Sequence, residues 1–261
     1  MAKKMLKRPN PSYTYQPGNI NGTKFQLSRT GIEEYLDCKK CFYLYRKLGL
    51  KRPSMIPFNL NLAVDNLFKN EFDFHRKQKT PHPIMQTYGV NAIPFSHPEL
   101  NLWRENFKGV RVDLIGTDIE IFGAVDDLWV YEDGSVIVAD YKATSKSIDD
   151  IFAPIRSWSD VWNSGQSYKR QLEIYQWLLF HKGLTVSQDC FLIYTNAHKD
   201  KQEFNNVLDF EVTLLKHQGD FSWVDGVLME IYSLLNQNIV PEPNQDCEMC
   251  GFVESSNLLL S

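Results

Sequence analysis

The sequence predicts an α/β fold in which a mixed central sheet is flanked by helices, and three features lead to that prediction. Apolar residues recur with a helical period in two segments between residues 28 and 76. Three β-rich runs follow between residues 109 and 144, where apolar and polar residues alternate. A further helical segment, two strand-like runs and a last helix complete the pattern, which is typical of helices packed on a sheet.

The start of the chain is polar. Residues 1–27 are rich in Pro, Asn and Gly, so we expect a flexible N-terminal arm that ends near Gln26. Order is expected from Ser28, and Ser28 or Thr30 can cap the first helix. Because 261 residues lie at the upper end of the usual size of one domain, residues 28–261 are predicted to form a single domain.

The remaining elements follow in order. A second helix is predicted from about Leu60 to Arg76, where four apolar side chains form one stripe. The prolines of residues 80–106 predict a long irregular insertion. The three β-rich runs are predicted to form a meander with a turn at residues 132–134: residues 109–116, 117–131 and 134–144. A helix, two strands and a helix follow at about Ser167–His181, Cys190–Tyr194, Val207–Thr213 and Trp223–Leu235, before a C-terminal segment at residues 243–261.

The net charge of −4 does not indicate a surface that binds nucleic acid all over. Contacts with phosphate groups need only a local basic patch, and two clusters of basic residues qualify. They are Lys3, Lys4, Lys7 and Arg8, and Arg46, Lys47, Lys51 and Arg52. A solvated tail and a solvated helix end are the alternative, and the more common, explanation of the same residues.

The sequence does not indicate a membrane protein. No stretch reaches the ~18 consecutive apolar residues that a membrane span needs. The basic first residues run into Pro9, Asn10 and Pro11, where a signal peptide would carry an apolar run. We therefore expect a cytoplasmic protein.

Two acidic residues and a lysine form the main candidate for a functional site. Asp126 and Asp140 are predicted on neighbouring strands, and Lys142 shares a face with Asp140 because side chains alternate along a strand. Two carboxylates ~4 Å apart repel by about 4 kcal/mol at an effective dielectric near ~20, so the cluster requires a cation or a proton. Mg²⁺ or Mn²⁺ suits such oxygen ligands. A solvent-facing ion pair between Asp140 and Lys142 is the alternative.

A divalent ion held there predicts phosphodiester hydrolysis. It polarises a phosphoryl oxygen and acidifies a bound water that attacks in line. Lys142, flanked by carboxylates, stays protonated, orients the water and balances the charge of the pentavalent phosphorus.

Three ordered motifs resemble the PD-(D/E)XK nuclease superfamily, in particular its RecB-like exonuclease branch. They are Gly123-Ala124-Val125-Asp126, Val138-Ala139-Asp140-Tyr141-Lys142-Ala143-Thr144 and Gln171-Leu172-Glu173-Ile174-Tyr175. The resemblance implies a restriction-endonuclease-like core in which Asp126, Asp140 and the backbone carbonyl of Tyr141 hold the metal. It also implies that Gln171 and Tyr175, four residues apart on one helix face, brace the site and contact the nucleic acid. Without the motifs, Tyr175 would be interpreted as an ordinary core residue and Gln171 as a residue on the helix surface.

One position departs from this branch. Its first long helix usually carries a metal-binding histidine, and here Asp65 stands at that place. A carboxylate is a good Mg²⁺ ligand, and Asp65 lies near Phe72 at the edge of the apolar stripe, so Asp65 is a further candidate ligand. An ordinary surface aspartate is the alternative.

The resemblance implies an exonuclease that hydrolyses DNA, either single-stranded or at duplex ends, in repair, recombination or defence. A catalytically inactive nuclease-like module that binds nucleic acid or a protein partner is the alternative. The acidic net charge and the aspartate at position 65 favour that alternative.

Four of the five cysteines form two C-x-x-C pairs, Cys38 with Cys41 and Cys247 with Cys250, a spacing typical of metal sites. A shared metal would join the beginning of the chain to its end, a loop closure worth about 5 kcal/mol. Some RecB-like nucleases hold a [4Fe-4S] cluster, which the resemblance implies here, although Ser256 stands where a further cysteine is expected. Two pairs also suit tetrahedral Zn²⁺, and free thiols are the third alternative.

Two tryptophans follow the strand that carries Asp140. Trp158 and Trp162 could stack on unpaired bases beside a nuclease site. We expect instead that they pack into the core of a crossover loop.

Overall fold

A computed structural model describes residues 14–18, 23–50, 59–149 and 151–260. The N-terminal cluster Lys3, Lys4, Lys7 and Arg8 lies outside the described residues, as do Lys51, Arg52 and most of the predicted N-terminal arm. The chain divides into two compact units. The first unit comprises residues 1–55, 111–122 and 222–261, and the second comprises residues 56–110 and 123–221. The single domain expected over residues 28–261 stays a prediction.

Ten strands are formed by the described residues. They are β1 (Phe25–Ser28), β2 (Ala92–Pro94), β3 (Val110–Asp113), β4 (Ile119–Gly123), β5 (Asp127–Tyr131), β6 (Val136–Thr144), β7 (Ser147–Ile148), β8 (Ile151–Phe152), β9 (Val186–Ala197) and β10 (Phe210–Gln218).

Eight α-helices accompany these strands in the same part of the chain. They are α1 (Arg29–Asp37), α2 (Lys39–Arg46), α3 (Asn59–Gln78), α4 (Pro83–Thr87), α5 (Leu100–Trp103), α6 (Gln166–His181), α7 (Trp223–Asn236) and α8 (Glu248–Leu260). None of the helices described here has the length and the apolar character that crossing a membrane requires.

The second unit contains a five-stranded mixed sheet in the order β10-β9-β6-β5-β2. β6 and β9 run parallel, and the chain between them passes through α6, whereas the other neighbours pair antiparallel. Helix α3 packs on β2 and β6, and α6 packs on β6 and β9. The predicted α/β class, with a mixed central sheet flanked by helices, is therefore confirmed.

The two sides of β6 have different roles. Tyr141 packs with Phe72 and Trp129 in an aromatic cluster of the core. Because side chains alternate along a strand, Asp140 and Lys142 project from the opposite side of β6. The strand thus separates apolar packing from the polar residues of the candidate site.

The predicted meander is wrong at its first strands. β4 pairs with β1 in parallel and with β3, in a separate three-stranded sheet, and not with β5. The run expected as one strand over residues 117–131 is broken after β4, because the Val125 amide donates to the Trp103 carbonyl at 3.1 Å. Asp126 consequently lies in this break, one residue before β5, and not on a strand.

The segment predicted as an irregular insertion, residues 80–106, is largely structured. It forms α4, β2 and α5, and β2 pairs antiparallel with β5 as the edge strand of the sheet. Pro94 ends this strand, a position where the missing amide hydrogen is tolerated. The prediction is wrong here because Met85 and Trp103 bury their side chains and hold the segment against the core.

The first unit orders part of the predicted N-terminal arm. β1 begins at Phe25, three residues before Ser28. Tyr15 is also buried, and its hydroxyl contacts the carboxylate of Asp118 at 3.0 Å and the amide oxygen of Asn236 at 3.1 Å. Tyr15 and Phe25 are thus buried although their neighbours in the sequence are polar, and the flexible N-terminal arm stays a prediction.

Candidate active site and cysteine cluster

Three of the predicted catalytic residues come together where β5 begins beside β6. The antiparallel register of the two strands places Asp126 next to Asp140, and the two carboxyl groups share a hydrogen bond. The Tyr141 amide donates to Asp126 Oδ2 at 3.3 Å, and Lys142 Nζ donates to Asp140 Oδ2. Two acids and an ammonium group thus form one contiguous cluster.

Burial and opposing charges set the protonation of this cluster. Asp140 is only 1% exposed, and burial, with the neighbouring charge of Asp126, raises its pKa to about 7 despite Lys142. Burial also acts to raise the pKa of Asp126, but Lys142 and Lys69 hold it below its usual range. Burial acts to lower the pKa of Lys142, and the two carboxylates raise it instead. Near neutral pH, Lys142 is therefore a cation beside a carboxyl pair that shares at most one proton.

Helix α6 supplies the next two predicted residues. Gln171 Nε2 donates to Asp140 Oδ1 at 2.8 Å and to the Tyr175 hydroxyl at 3.1 Å, and both side chains are buried. A Cβ atom on Gly123 would lie 2.8 Å from the Tyr175 ring, so a larger residue at this position would displace the tyrosine. Gln171 and Tyr175 therefore pack behind Asp140 and hold its carboxyl group in place.

Asp65 lies on α3 and takes part in the same cluster through a residue that the sequence analysis missed. Lys69, one turn further along α3, donates to Asp65 Oδ2 at 2.7 Å and contacts Asp126 Oδ1 at 3.3 Å. Burial raises the pKa of Asp65, and so does Asp126. The i, i+4 spacing of Asp65 and Lys69 indicates that these two residues pair, but nothing in the sequence indicates the contact of Lys69 with Asp126.

The oxygen atoms around this cluster suit a divalent cation. Asp65 Oδ1 is buried and has no hydrogen-bond partner, and the Tyr141 carbonyl accepts from Lys142 Nζ at 3.2 Å. Carboxylate and carbonyl oxygens are the ligands that Mg²⁺ and Mn²⁺ prefer. Within the described part of the chain, however, only the four cysteines bring three or more potential ligand atoms close together. The acidic set therefore fits an ion once the Lys69 ammonium leaves its place between Asp65 and Asp126.

Asp127, which begins β5, anchors a buried ionic network beneath the site. It is fully buried and accepts hydrogen bonds from three side chains: the Arg76 guanidinium, the Arg104 guanidinium at 2.9 Å and the Tyr141 hydroxyl at 2.6 Å. Arg104 Nε also donates to the backbone carbonyl of Asp126 at 3.0 Å. The network thus fixes the main chain that carries the candidate ligand Asp126. The sequence signal for this network is the pair of consecutive acids, Asp126 and Asp127. On a predicted strand, consecutive side chains point to opposite sides, so Asp127 would point away from the site.

Replacing Asp127 with Leu is expected to lower the free energy of unfolding by about 3 to 5 kcal/mol, because the buried guanidinium groups of Arg76 and Arg104 lose one of their two carboxylate partners and keep only Asp73. Denaturation with urea measures this change. Glu132→Leu, at an exposed position in the turn between β5 and β6, is the matched control and should shift stability by no more than about 0.5 kcal/mol. Equal stability of the two variants would show that the network contributes nothing.

The four paired cysteines meet in the first unit. The predicted first helix is interrupted at Cys38, whose extended backbone separates α1 from α2. The Sγ atoms of Cys38 and Cys250 are 3.8 Å apart, and Cys41 Sγ lies 3.6 Å from Cys247 Sγ and 3.4 Å from Cys250 Sγ. All four sulfur atoms lie within 4.8 Å of one another. The cluster therefore joins the two C-x-x-C pairs.

The surroundings of these sulfur atoms favour metal binding. Burial raises the pKa of the Cys38 thiol, but hydrogen bonds from the backbones of Cys41 and Asn244 and from neighbouring thiols bring it down to about 7. A tetrahedral ion with metal–sulfur bonds of ~2.3 Å sets its ligand atoms about 3.8 Å apart. The observed separations are close to that value, so the four cysteines could hold a metal ion. Cys190 lies elsewhere, buried in β9.

Comparison with known proteins agrees with this geometry. The family model of the PD-(D/E)XK nuclease superfamily matches residues 62–255, which include the acidic cluster, Gln171 and Tyr175. Among curated proteins, none matches this chain. The RecB-like branch stays a prediction.

Proposed function

This chain belongs to the PD-(D/E)XK nuclease superfamily, and on that basis we propose that it is a divalent-metal-dependent nuclease that hydrolyses phosphodiester bonds of DNA. The observation that carries the proposal is the buried cluster of Asp126, Asp140 and Lys142, which unites two acids with a protonated lysine. The residues predicted from the motifs meet in space, and this supports a catalytic use of the cluster.

Asp65, Asp126, Asp140 and the Tyr141 carbonyl are the proposed ligands of the Mg²⁺ or Mn²⁺ ion. When bound, such an ion polarises a phosphoryl oxygen and lowers the pKa of a coordinated water. The orphaned Asp65 Oδ1 supports this ligand set, because a buried carboxylate oxygen without a partner is unusual and costs free energy.

The protein's own residues have separate parts in this proposal. Lys142 remains protonated, and its ammonium group stabilises negative charge that develops on the phosphate during attack. Gln171 is a positioning residue, since it donates to Asp140 and leaves the other oxygen of that carboxyl group to face Lys142. Tyr175 holds Gln171 through its hydroxyl group.

Incubation of the purified protein with labelled DNA tests the proposal. Four substrates are compared, namely linear and circular molecules, each single- and double-stranded. At least one of them is expected to be degraded when Mn²⁺ is added, and all four are expected to remain intact with a chelator. Cleavage of linear molecules alone is the result expected of an exonuclease. No metal-dependent cleavage of any of the four would overturn the proposal.

A catalytically inactive module that binds nucleic acid or a protein partner is the second candidate function. Lys69 favours it, because its ammonium group bridges Asp65 and Asp126 where a metal ion would otherwise balance their charge. Calorimetric titration with Mn²⁺ separates the two candidates, since an inactive module of this kind should show no binding at the acidic residues. For a nuclease, Mn²⁺ affinity is expected to fall as the pH drops from about 8 to about 6, because Asp140, whose pKa is about 7, must lose its proton to bind metal.

The metal at the cysteines belongs to the same proposal. Cys38, Cys41, Cys247 and Cys250 are proposed to hold either one Zn²⁺ ion or a [4Fe-4S] cluster. The short sulfur–sulfur separations support a single tetrahedral ion, because a four-iron cluster needs more room between its ligands. Exonuclease action and a role in repair, recombination or defence are further proposals that follow from the predicted RecB-like branch. The cytoplasmic location expected from the sequence is a separate proposal.

A further inference from the structure

Trp162 is an exposed aromatic residue in the turn that precedes α6, the helix that carries Gln171. Its side chain is 90% exposed, so the expectation that both tryptophans pack into the core is wrong for this one. Trp158 does pack, against the cluster that includes Val161 and Leu215, and its indole donates to the Lys216 carbonyl at 2.7 Å. Trp158 is thus packed against the protein, whereas the Trp162 ring is exposed and accessible to a ligand.

The turn that carries Trp162 is held in one conformation. Asn163, Ser164 and Gly165 all have positive φ angles, which L-residues other than glycine rarely adopt. A Cβ atom on Gly165 would lie 2.4 Å from the Trp158 ring, so the anchored indole packs directly on the backbone of the turn. Residues in such conformations persist only where their surroundings impose them, and they cluster at functional sites. The exposed indole is therefore presented from a rigid base.

This turn leads directly into the helix that borders the active site. Helix α6 begins at Gln166, and the Tyr168 ring in its first turn lies 5.5 Å from the Lys142 ammonium. Gln171, which bonds Asp140, follows about 8 Å further along the helix axis from Gln166. The first turn of α6 therefore lies beside the acidic cluster, and a nucleic acid strand with one phosphate at that cluster can extend along the start of α6.

The charge around the turn suits a phosphate backbone. Residues 151–170 contain three basic residues, Arg156, Lys169 and Arg170, and one acidic residue, Asp160, although the whole chain is acidic. Asp160 Oδ2 already accepts hydrogen bonds from the Arg156 and Ser157 amides. The net charge of this stretch is therefore positive, which favours the approach of a phosphate group.

We propose that Trp162 stacks on an unpaired base of the strand that is cut, so that the substrate is a single strand or a frayed end. This inference rests on the proposed nuclease function, whose substrate class it narrows. Aromatic side chains combined with basic residues are the usual means by which proteins hold single strands regardless of sequence. Bases within a duplex have no free face, and they do not stack on a side chain.

The surroundings of Trp162 favour a base over a protein partner. Exposed polar residues, Asn163 and Ser164, follow it directly in the chain. A stable protein interface needs a contiguous apolar centre of several hundred Å². A single exposed indole with basic residues in the same stretch of chain can bind a nucleobase and its phosphate. It is too small an apolar surface for a stable protein interface.

Binding of a labelled oligothymidylate to the full chain in the presence of a chelator tests the inference. Trp162→Ala is expected to weaken this binding roughly 5- to 100-fold, because one base–aromatic stack is lost. Trp162→Phe keeps an aromatic ring and should remain within a few-fold of the wild type. An abasic strand of equal length has the same phosphates but no bases, and its affinity should not change with Trp162→Ala.

Phe180→Ala is the matched control, since it removes a 54% exposed aromatic ring from the opposite end of α6 and should leave binding unchanged. Equal affinities of the wild type and Trp162→Ala for oligothymidylate, or a wild type that binds no single strand, would overturn the inference. Mn²⁺-dependent cleavage, measured in parallel, tests the proposed function separately. Trp162-dependent binding without cleavage would leave the stacking site standing and remove the nuclease assignment.

Discussion

Replacing Asp140 with Asn is expected to reduce Mn²⁺-dependent DNA cleavage at least about 100-fold while the protein remains folded. Residues that only support a metal ligand contribute about 10- to 100-fold, so the loss of a proposed ligand should exceed that range. The fold should persist because the buried carboxyl group is half-protonated near pH 7, and an amide oxygen can still accept from Gln171. Cleavage rates and the thermal unfolding temperature measure the two effects.

Two further variants make this experiment decisive. Lys142→Met removes the ammonium group but keeps the aliphatic chain. It should reduce the cleavage rate by a similar factor, because the negative charge of the transition state is no longer stabilised. Glu132→Gln neutralises an exposed acid in the turn between β5 and β6 and should leave cleavage unchanged. Undiminished cleavage by both Asp140→Asn and Lys142→Met would refute the assignment of the active site.

Replacing Cys250 with Ser is expected to remove the bound metal and to lower the free energy of unfolding by about 3 to 5 kcal/mol. The metal would close a loop from Cys41 to Cys247, and loss of such a long closure returns conformational entropy to the unfolded chain. Cys250 Sγ is within hydrogen-bonding distance of two other cysteines, so no remaining thiol can replace it without rearrangement. Elemental analysis and denaturation with urea measure the two effects.

Cys190→Ala is the matched control for the cysteine variant. Cys190 is buried in β9, and its thiol donates to the His217 carbonyl rather than to another sulfur. Its replacement should leave the metal content unchanged. Broad visible absorbance of the anaerobically purified protein would indicate an iron–sulfur cluster, and colourless protein with one zinc per chain a single ion. A metal-free wild type would contradict both forms of the proposal.

The sequence by itself determined the features that depend on local periodicity. Alternation along β6 puts Asp140 and Lys142 on one side, and helical spacing puts Gln171 and Tyr175 on one face, whatever the rest of the fold does. The α/β class followed from the same periods. The pairs of cysteines were visible as motifs, and so was their suitability for a metal.

Only the tertiary structure decided which distant residues meet. Lys69 reaches Asp126 because α3 packs on β6, and no spacing within α3 indicates that contact. β4 leaves the predicted meander because its pairing with β1 joins segments far apart in the chain. Trp158 and Trp162 have the same chemistry, yet one is packed and the other exposed. Such outcomes depend on backbone hydrogen bonds and burial between remote segments, which the pattern of neighbouring residues does not encode.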